Sequence, residues 1–387
     1  MTRLPRSKQI LRADIAMRHS DEKWMAEAIK VGRQARVWSA PNPAVGCVIV
    51  RDDALLAAGF THPTGQQHAE IHALSQIDDA VGATAYVTLE PCSHTGHTGP
   101  CVDALIGAGI VRVVLSCVDP DPRVAGKGVA KLESAGIDVT TGVLEAQAHD
   151  ELKGFFLRLS RGWGRVTVKM AISADGRSAM ASGESQWITG AAARADVQAW
   201  RAESDVILTG SGTVMADDCA LTLRQCENRL SEADWQRALA KPTARAVVDS
   251  SATITHDAKV VSGDTPTFLF VRSDAQASTD MPSSVSYIPL DAQEKGVDLK
   301  AVFKLLGDKG ANEILVEAGP TLVGALQQAD LIDRWLIYMA PTMLGADARP
   351  AHAAVFKKLS DAPRYSVTGH ELIGDDLRII MRAAQDS

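Results

Sequence analysis

The chain has 387 residues, more than one typical domain needs, so two domains are the starting expectation. Hydrophobic residues make up 46% and charged residues 22%, ordinary for a soluble globular protein and ample for two cores. A formal net charge of −7 excludes a global basic footprint for nucleic acid or an anionic membrane, and leaves room only for a local basic pocket around a small phosphorylated molecule.

The N-terminus, MTRLPRSKQILRADIAMRHSDEK, carries basic residues but no apolar run of signal-peptide length. Nowhere do about 18 apolar residues run uninterrupted, so no membrane partner is expected. Six cysteines in such a chain point to thiols or metal rather than a disulfide framework, and to a cytoplasmic setting.

Residues 1–20 read as a loose N-terminal extension. Ser20 is placed to cap a helix beginning with Asp21 and Glu22, both favourable in a first turn. Trp24, Ala28, Val31 and Ala35 recur at helical spacing and predict one buried face. PNP at 41–43 ends that helix, and AVGCVIV and LLAAGF then read as neighbouring strands. Helices from about Ala69, Cys101 and Gly126 alternate with strands TAYVTL, VRVVLSCV and IDVTT. This is an α/β layered domain, assigned to residues 21–162.

EAQAHDELKGFFLRLSRG predicts one helix, and RGWGR at 161–165 is the linker candidate. A second alternation, assigned to 163–387, begins with strand RVTVKMAIS. It continues through a helix near 191–202, strands DVILTG, ARAVVDS, TFLFV and EILVEA, and a helix from Pro320. The architecture expected is two α/β domains without internal repeats.

Five of the ten histidines fall between His62 and His97, close to Cys92 and Cys101. HAE at 68–70 and EPCSHTGHTGPC at 90–101 supply the H-x-E and P-C…C pattern of zinc deaminases. His68 at one helix start and two thiolates from a second helix start can converge on zinc, leaving a fourth position for water. Zinc brings the pKa of that water toward neutrality. Glu70 lies too close in sequence to His68 to be a comfortable co-ligand, but is well placed to take the water's proton and pass it to a leaving amine. H-x-E alone also fits an ordinary helix start; the joint order, after a strand, is what carries the metal reading. Cys47 and Cys117 sit in apolar strands as packed thiols, and Cys219 and Cys226 lack histidine neighbours. His94 and His97 are candidates for substrate contact rather than ligation.

The eight residues between Cys92 and Cys101 exceed the C-x-x-C of tRNA and cytidine deaminases. PNPAVGCVIV, HAEIHAL, TAYVTLEPCSHTGHTGPC and DPDPRVAGKG resemble the bifunctional riboflavin biosynthesis protein family, a pyrimidine deaminase fused to a reductase. The resemblance runs from about residue 21 to the C-terminus. It implies a cytidine-deaminase-like first domain that hydrolyses the 2-amino group of a diaminopyrimidinone carrying phosphoribosylamine. Two departures stand out: His97 where the family usually has Lys or Arg, and Gly99 where Pro is common. A weaker hold on phosphate is the expected consequence, with the chemistry untouched.

EAGPTLVGAL at 317–326 follows a strand and opens a helix; Gly319 allows close backbone approach and Pro320 suits a first turn. Strand–Gly–helix turns are common, and this is not the dinucleotide fingerprint. ISADGR is first of all a tight turn at Asp175–Gly176. Taken together, KMAISADGRSAMASGESQWITG, RAESDVILTGSGTVMADDCALTLR and VEAGPTLVGAL resemble the reductase half of the same family, which is dihydrofolate-reductase-like and uses NADPH. By that resemblance Ala171, Trp187, Thr213, Asp217, Ser250 and the turn Gly319, Pro320, Thr321, Leu322, Val323, Gly324 and Ala325 contact the cofactor. Ser185, Arg201, Leu221, Arg224 and Glu317 contact the substrate. Arg201 and Arg224 suit a phosphate because a guanidinium grips it as a fork. Cys219 replaces a proline usual after DD. The resemblance implies hydride transfer from NADPH to ribose C1′; no residue stands out as acid or base, and positioning of the nicotinamide is expected to supply most of the rate.

The leading expectation is therefore an enzyme of two consecutive steps with zinc and NADPH, a phosphorylated pyrimidine substrate and homo-oligomeric assembly. Two alternatives stay open on the sequence. One is a deaminase of another nucleobase with a degenerate second domain, against which the intact DD, Arg224 and EAGPTLVG argue. The other is a non-catalytic, zinc-stabilised ligand-binding protein, against which Glu70 argues, since a structural zinc site closes with four protein ligands.

Overall fold

The computed structural model describes residues 6–93, 99–121, 125–241, 243–294 and 296–383, and only the backbone of 6–16. The chain divides into two compact units, Met1–Ser160 and Arg161–Ser387.

Unit 1 contains α1 (Arg6–Gly32), β1 (Gly46–Arg51), β2 (Ala54–Phe60), α2 (Ala69–Leu74), β3 (Thr84–Leu89) and α3 (Cys101–Gly107). It continues with β4 (Arg112–Cys117), α4 (Lys127–Ser134), β5 (Asp138–Thr140), α5 (Glu145–Glu151) and α6 (Lys153–Arg161). The strands form one sheet in the order β2-β1-β3-β4-β5. β1 runs antiparallel to β2 and β3, whereas β3, β4 and β5 are parallel. The central strands read as unbroken apolar runs because helices cover both faces; Val48, Ile49, Val87 and Leu115 are fully buried.

Helix α1 differs from expectation. It begins at Arg6, so Ser20 is not its cap; the Ser20 hydroxyl instead donates to Asp53. RSKQILRADIAMRHS holds no Pro or Gly and many good helix formers, so nothing stops the helix upstream of Asp21. It also ends at Gly32, well before PNP, and a 3-10 turn at Arg33–Ala35 follows. The predicted face is correct: Trp24, Ala28, Val31 and Ala35 are buried. Asp21 is buried too, accepting from both Nη groups of Arg112 (2.7 and 2.9 Å) and from the Tyr86 hydroxyl (3.0 Å). The single helix expected over 145–162 is two, broken at Leu152, a buried residue.

Unit 2 opens with β6 (Arg165–Ser173), β7 (Arg177–Ala179), α7 (Ala191–Ala202), β8 (Val206–Gly210), α8 (Ser211–Asp217) and α9 (Glu232–Ala240). Then come β9 (Ala244–Val248), β10 (Thr267–Arg272), β11 (Val285–Leu290), β12 (Ala292–Gln293), β13 (Gly296–Val297) and α10 (Leu299–Asp308). β14 (Glu313–Val316), α11 (Pro320–Gln328), β15 (Arg334–Ala340), β16 (Arg349–Pro350), β17 (Tyr365–Ile373) and β18 (Asp376–Ala383) complete it. The main sheet has the order β11-β10-β9-β8-β14-β6-β15-β18-β17. Its first seven strands are parallel, and β18 turns antiparallel to β15 and β17.

RGWGR is packed rather than a loose tether. Trp163 is buried in a core with Val302, Phe303 and Leu306, and Arg161 forks onto Asp333 (2.9 and 2.5 Å). Among the described residues, no helix is long and apolar enough to cross a membrane, and all six cysteines are unpaired.

Candidate functional site

In unit 1 the chain brings three predicted ligands together. His68 is the N-cap of α2, extended at φ −75° and ψ 166°, so its ring projects from the helix start. Cys101 is the first residue of α3, but Cys92, expected at the same helix start, lies instead in the segment leaving β3. The His68 Nδ1 stands 3.6 Å from the Cys92 Sγ and 3.3 Å from the Cys101 Sγ. All three donor atoms lie within 4.8 Å of one another, and among the described residues this is the one group able to hold a metal ion. Zinc bonds of about 2.3 Å to sulfur and about 2.0–2.1 Å to nitrogen at tetrahedral angles would separate S and N by about 3.6 Å. The residues fit zinc.

The electrostatics divide the two thiols: the bond to Cys92, then burial, push the Cys101 thiol well up. Hydrogen bonds from Cys101 and His68 hold the Cys92 thiol well below the usual thiol range, and the bond to Cys92 in turn raises His68. Glu70, two residues into the helix, is only 4% exposed; burial, then the charge of Cys92, pushes its carboxyl up to about 7. Cys47 and Cys117 are packed in strands as expected. His94 and His97 lie outside the described residues, and Gly99 precedes α3 in a loop.

One residue of this region carried no recognisable signal. Glu90, at the end of β3, is 4% exposed and its carboxylate accepts four backbone N–H groups. In sequence it is merely the acid before PC.

In unit 2 most of the predicted residues follow the C-terminal ends of parallel strands, where open α/β sheets bind ligands. Ala171 is near the end of β6, Thr213 and Asp217 on α8 directly after β8, Ser250 after β9, and Glu317 and Gly319 after β14. The Gly319 N–H donates to the Thr213 hydroxyl at 3.0 Å, joining two of these segments. Gly319 caps α11 and Pro320 is its first residue, leaving helix-start amides directed outward. The predicted turn divides, however. Thr321 is exposed and Leu322 and Ala325 half-buried, but Val323 and Gly324 are buried, and a Cβ on Gly324 would meet the Ala354 N at 2.7 Å. Those two residues are thus also packed within the unit. Trp187 is 67% exposed beneath the Arg194 guanidinium, and Ser185 is half-buried in the same segment.

The two arginines separate as well. Arg201, at the end of α7, grips Glu317 through Nε (2.5 Å) and Nη2 (3.1 Å), and Nη1 donates to the Thr222 carbonyl (3.0 Å). Lys169, which sequence reasoning passed over, stands 3.8 Å from Glu317. Burial favours a protonated Glu317, but Arg201 and Lys169 outweigh it and hold the carboxyl low. Arg224 lies on the loop beyond buried Leu221; its backbone N–H donates to Gln198 at 2.9 Å, and its exposed guanidinium has no ion pair among the described residues, although its charge also helps hold Glu317 low. Asp175 does more than turn: it accepts from Ser173 (2.5 Å) and from the amides of Leu344 (3.1 Å) and Gly345 (2.8 Å).

Comparison with known proteins bears on both units. Residues 18–117 match the cytidine and deoxycytidylate deaminase zinc-binding region, and residues 165–379 match the RibD C-terminal domain. The chain is 44% identical over 360 residues to riboflavin biosynthesis protein RibD of Escherichia coli, covering 92% of this chain and 98% of that one. It is 40% identical to its Haemophilus influenzae counterpart, over 92% of this chain and 95% of the other. Among solved structures, Acinetobacter baumannii RibD superposes with a TM-score of 0.85 at 40% identity, covering 95% of this chain and all of that one. A diaminohydroxyphosphoribosylaminopyrimidine deaminase/5-amino-6-(5-phosphoribosylamino)uracil reductase from Thermotoga maritima gives 0.83 at 28%, with the same coverage.

Proposed function

Since the chain belongs to the RibD family of riboflavin biosynthesis proteins, we propose how its own residues carry the family's two reactions. The protein is a bifunctional enzyme, a zinc-dependent deaminase and an NADPH-dependent reductase, with a cytidine-deaminase-like first half and a dihydrofolate-reductase-like second half. The observation that carries the residue assignment is the triangle of His68, Cys92 and Cys101 with buried Glu70 beside it. Zinc, when bound, supplies the Lewis acidity that lets water lose a proton near neutral pH. The Glu70 carboxylate receives that proton and delivers it to the amine leaving C2 of the pyrimidine.

In the second step bound NADPH would supply the hydride that ribose C1′ accepts. The α11 start and Thr213 bind the cofactor, Arg224 takes the substrate phosphate, and the ionised Glu317 is oriented by Arg201 and Lys169. A degenerate second domain has no support here, because that charge cluster is assembled. The reading includes a cytoplasmic setting, in keeping with six unpaired cysteines. It also includes homo-oligomeric assembly, in keeping with an edge strand, β17, that exposes Val367 and Leu372. The test is to incubate purified protein with the phosphoribosylamino-pyrimidinone and NADPH while following ammonia and NADPH absorbance. Ammonia without NADPH oxidation, in protein that holds zinc, would refute the two-step assignment.

A further inference from the structure

The Glu90 carboxylate has four amides around it. Oε2 accepts from Asp119 N (3.2 Å) and Gly126 N (2.9 Å), and Oε1 accepts from Gly128 N (2.8 Å) and Val129 N (3.2 Å). Gly126 is the N-cap of α4, and Gly128 and Val129 lie in its first turn. These are donors that the helix itself leaves unsatisfied, at the end where its dipole favours an anion. The Glu90 N–H in turn donates to the Cys117 carbonyl at 2.9 Å, so the residue is held from both its backbone and its side chain.

Cys92 follows two residues later. The intervening Pro91 has no N–H and a fixed φ, which makes 90–92 a stiff link. That link is pressed against the same helix start: a Cβ on Gly128 would come within 2.3 Å of the Pro91 carbonyl oxygen. Cys92 also accepts from Cys101 N at 3.4 Å, on the far side of the site.

We infer that Glu90 is a positioning residue for the metal site, fixing the Cys92 sulfur by anchoring its peptide link to the start of α4. The inference rests on the zinc reading given above. Groups that orient metal ligands from behind typically change metal affinity about 10–100-fold when lost. Glu90→Gln keeps the size but turns an amide NH2 toward N–H donors, so two of the four bonds are replaced by repulsion.

The measurement is zinc affinity of the full chain by competition with a chromogenic chelator, with folding followed by circular dichroism. Glu90→Gln should bind zinc about 10–100-fold more weakly. Glu90→Asp, which keeps the charge on a shorter arm, should fall between it and wild type; it also serves if the glutamine variant does not fold. Leu132→Ala loosens α4 through the core without touching Glu90, and should leave zinc affinity near wild type. NADPH oxidation with the already deaminated substrate should be unchanged in all three. Folded Glu90→Gln with affinity within twofold of wild type overturns the inference, as does an equal loss in Leu132→Ala. A wild-type chain that binds no zinc overturns the metal site itself, and with it the inference.

Discussion

Arg201 and Arg224 read alike in the sequence, and the structure predicts opposite phenotypes for their removal. Arg201 is engaged with Glu317 as a two-bond fork, with side chains only 11% and 12% exposed. Deleting one partner of a buried pair costs about 3–5 kcal/mol. Lys169 at 3.8 Å from Glu317 would remain, an attraction of roughly 4 kcal/mol at an effective dielectric of about 20. The loss in Arg201→Ala should therefore sit at the low end, about 3 kcal/mol. In a unit of roughly 200 residues that lowers Tm by about 6–12 °C. Arg224→Ala removes an exposed guanidinium with no ion pair and should change stability by less than about 0.5 kcal/mol. Its loss falls on substrate: a charge-assisted hydrogen bond of about 1.5–3 kcal/mol corresponds to a KM higher by roughly 10–150-fold. Arg224→Lys should recover only part of this, because the fork is missing. The assays are calorimetry of the zinc-loaded chain and NADPH oxidation with the deaminated substrate. An Arg224→Ala variant with wild-type KM, or an Arg201→Ala variant with wild-type Tm, would refute the division of roles.

Glu70→Gln should lower ammonia release by at least about 10²–10⁴-fold while zinc content stays at one per chain; near-normal release would remove Glu70 from the mechanism. Chelating zinc should stop deamination and leave reduction of the deaminated substrate intact, because each unit has its own core; a parallel loss in still-folded protein would mean that zinc serves both reactions. The bond from Ser173, then the Leu344 amide, pulls the Asp175 carboxyl down to about 2. Its unfolded value is about 3.9, so this contribution to stability is present above about pH 4 and lost as pH falls through about 2. Asp175→Asn should flatten acid unfolding in that window, and an unchanged acid transition would show that Asp175 contributes nothing there.

What could be read in advance follows from the range of the interaction. Local order carried the metal site, because His68 and Cys101 each stand at a helix start, and P-C follows the end of β3. Apolar runs located β6, β8 and β14 for the same reason. Ser20 misled because a good cap residue is not a stop signal when the preceding residues favour helix as well. The pairing of Arg201 with Glu317 crosses 116 residues, and Lys169 is one polar residue in an apolar strand; no local pattern joins them. Glu90 was hidden by the same distance, since its partners are backbone amides with no side-chain signature. RWLIYMA in β15 is plainly strand-like, whereas β17 and β18 are exposed or half-buried along nearly all their length and carry no buried apolar run to mark them.

The sheet order of unit 2 has a consequence for synthesis. β6 is the first strand of that unit to leave the ribosome, yet both its neighbours, β14 and β15, come late; Glu313, which pairs with Arg165, is made 140 residues after Ser173. At about 5–20 residues per second this is a wait of roughly 7–30 s, during which RVTVKMAIS has two unpaired edges. The strands of unit 1 have no such delay, since β1 pairs with β2 across a tight turn and β3 follows within a few dozen residues. Nascent chains arrested before residue 313 should therefore protect the first unit from protease and leave the β6 segment open to cleavage or to chaperones. Arrested chains in which β6 is already protected would mean that its partners are found by another order of assembly.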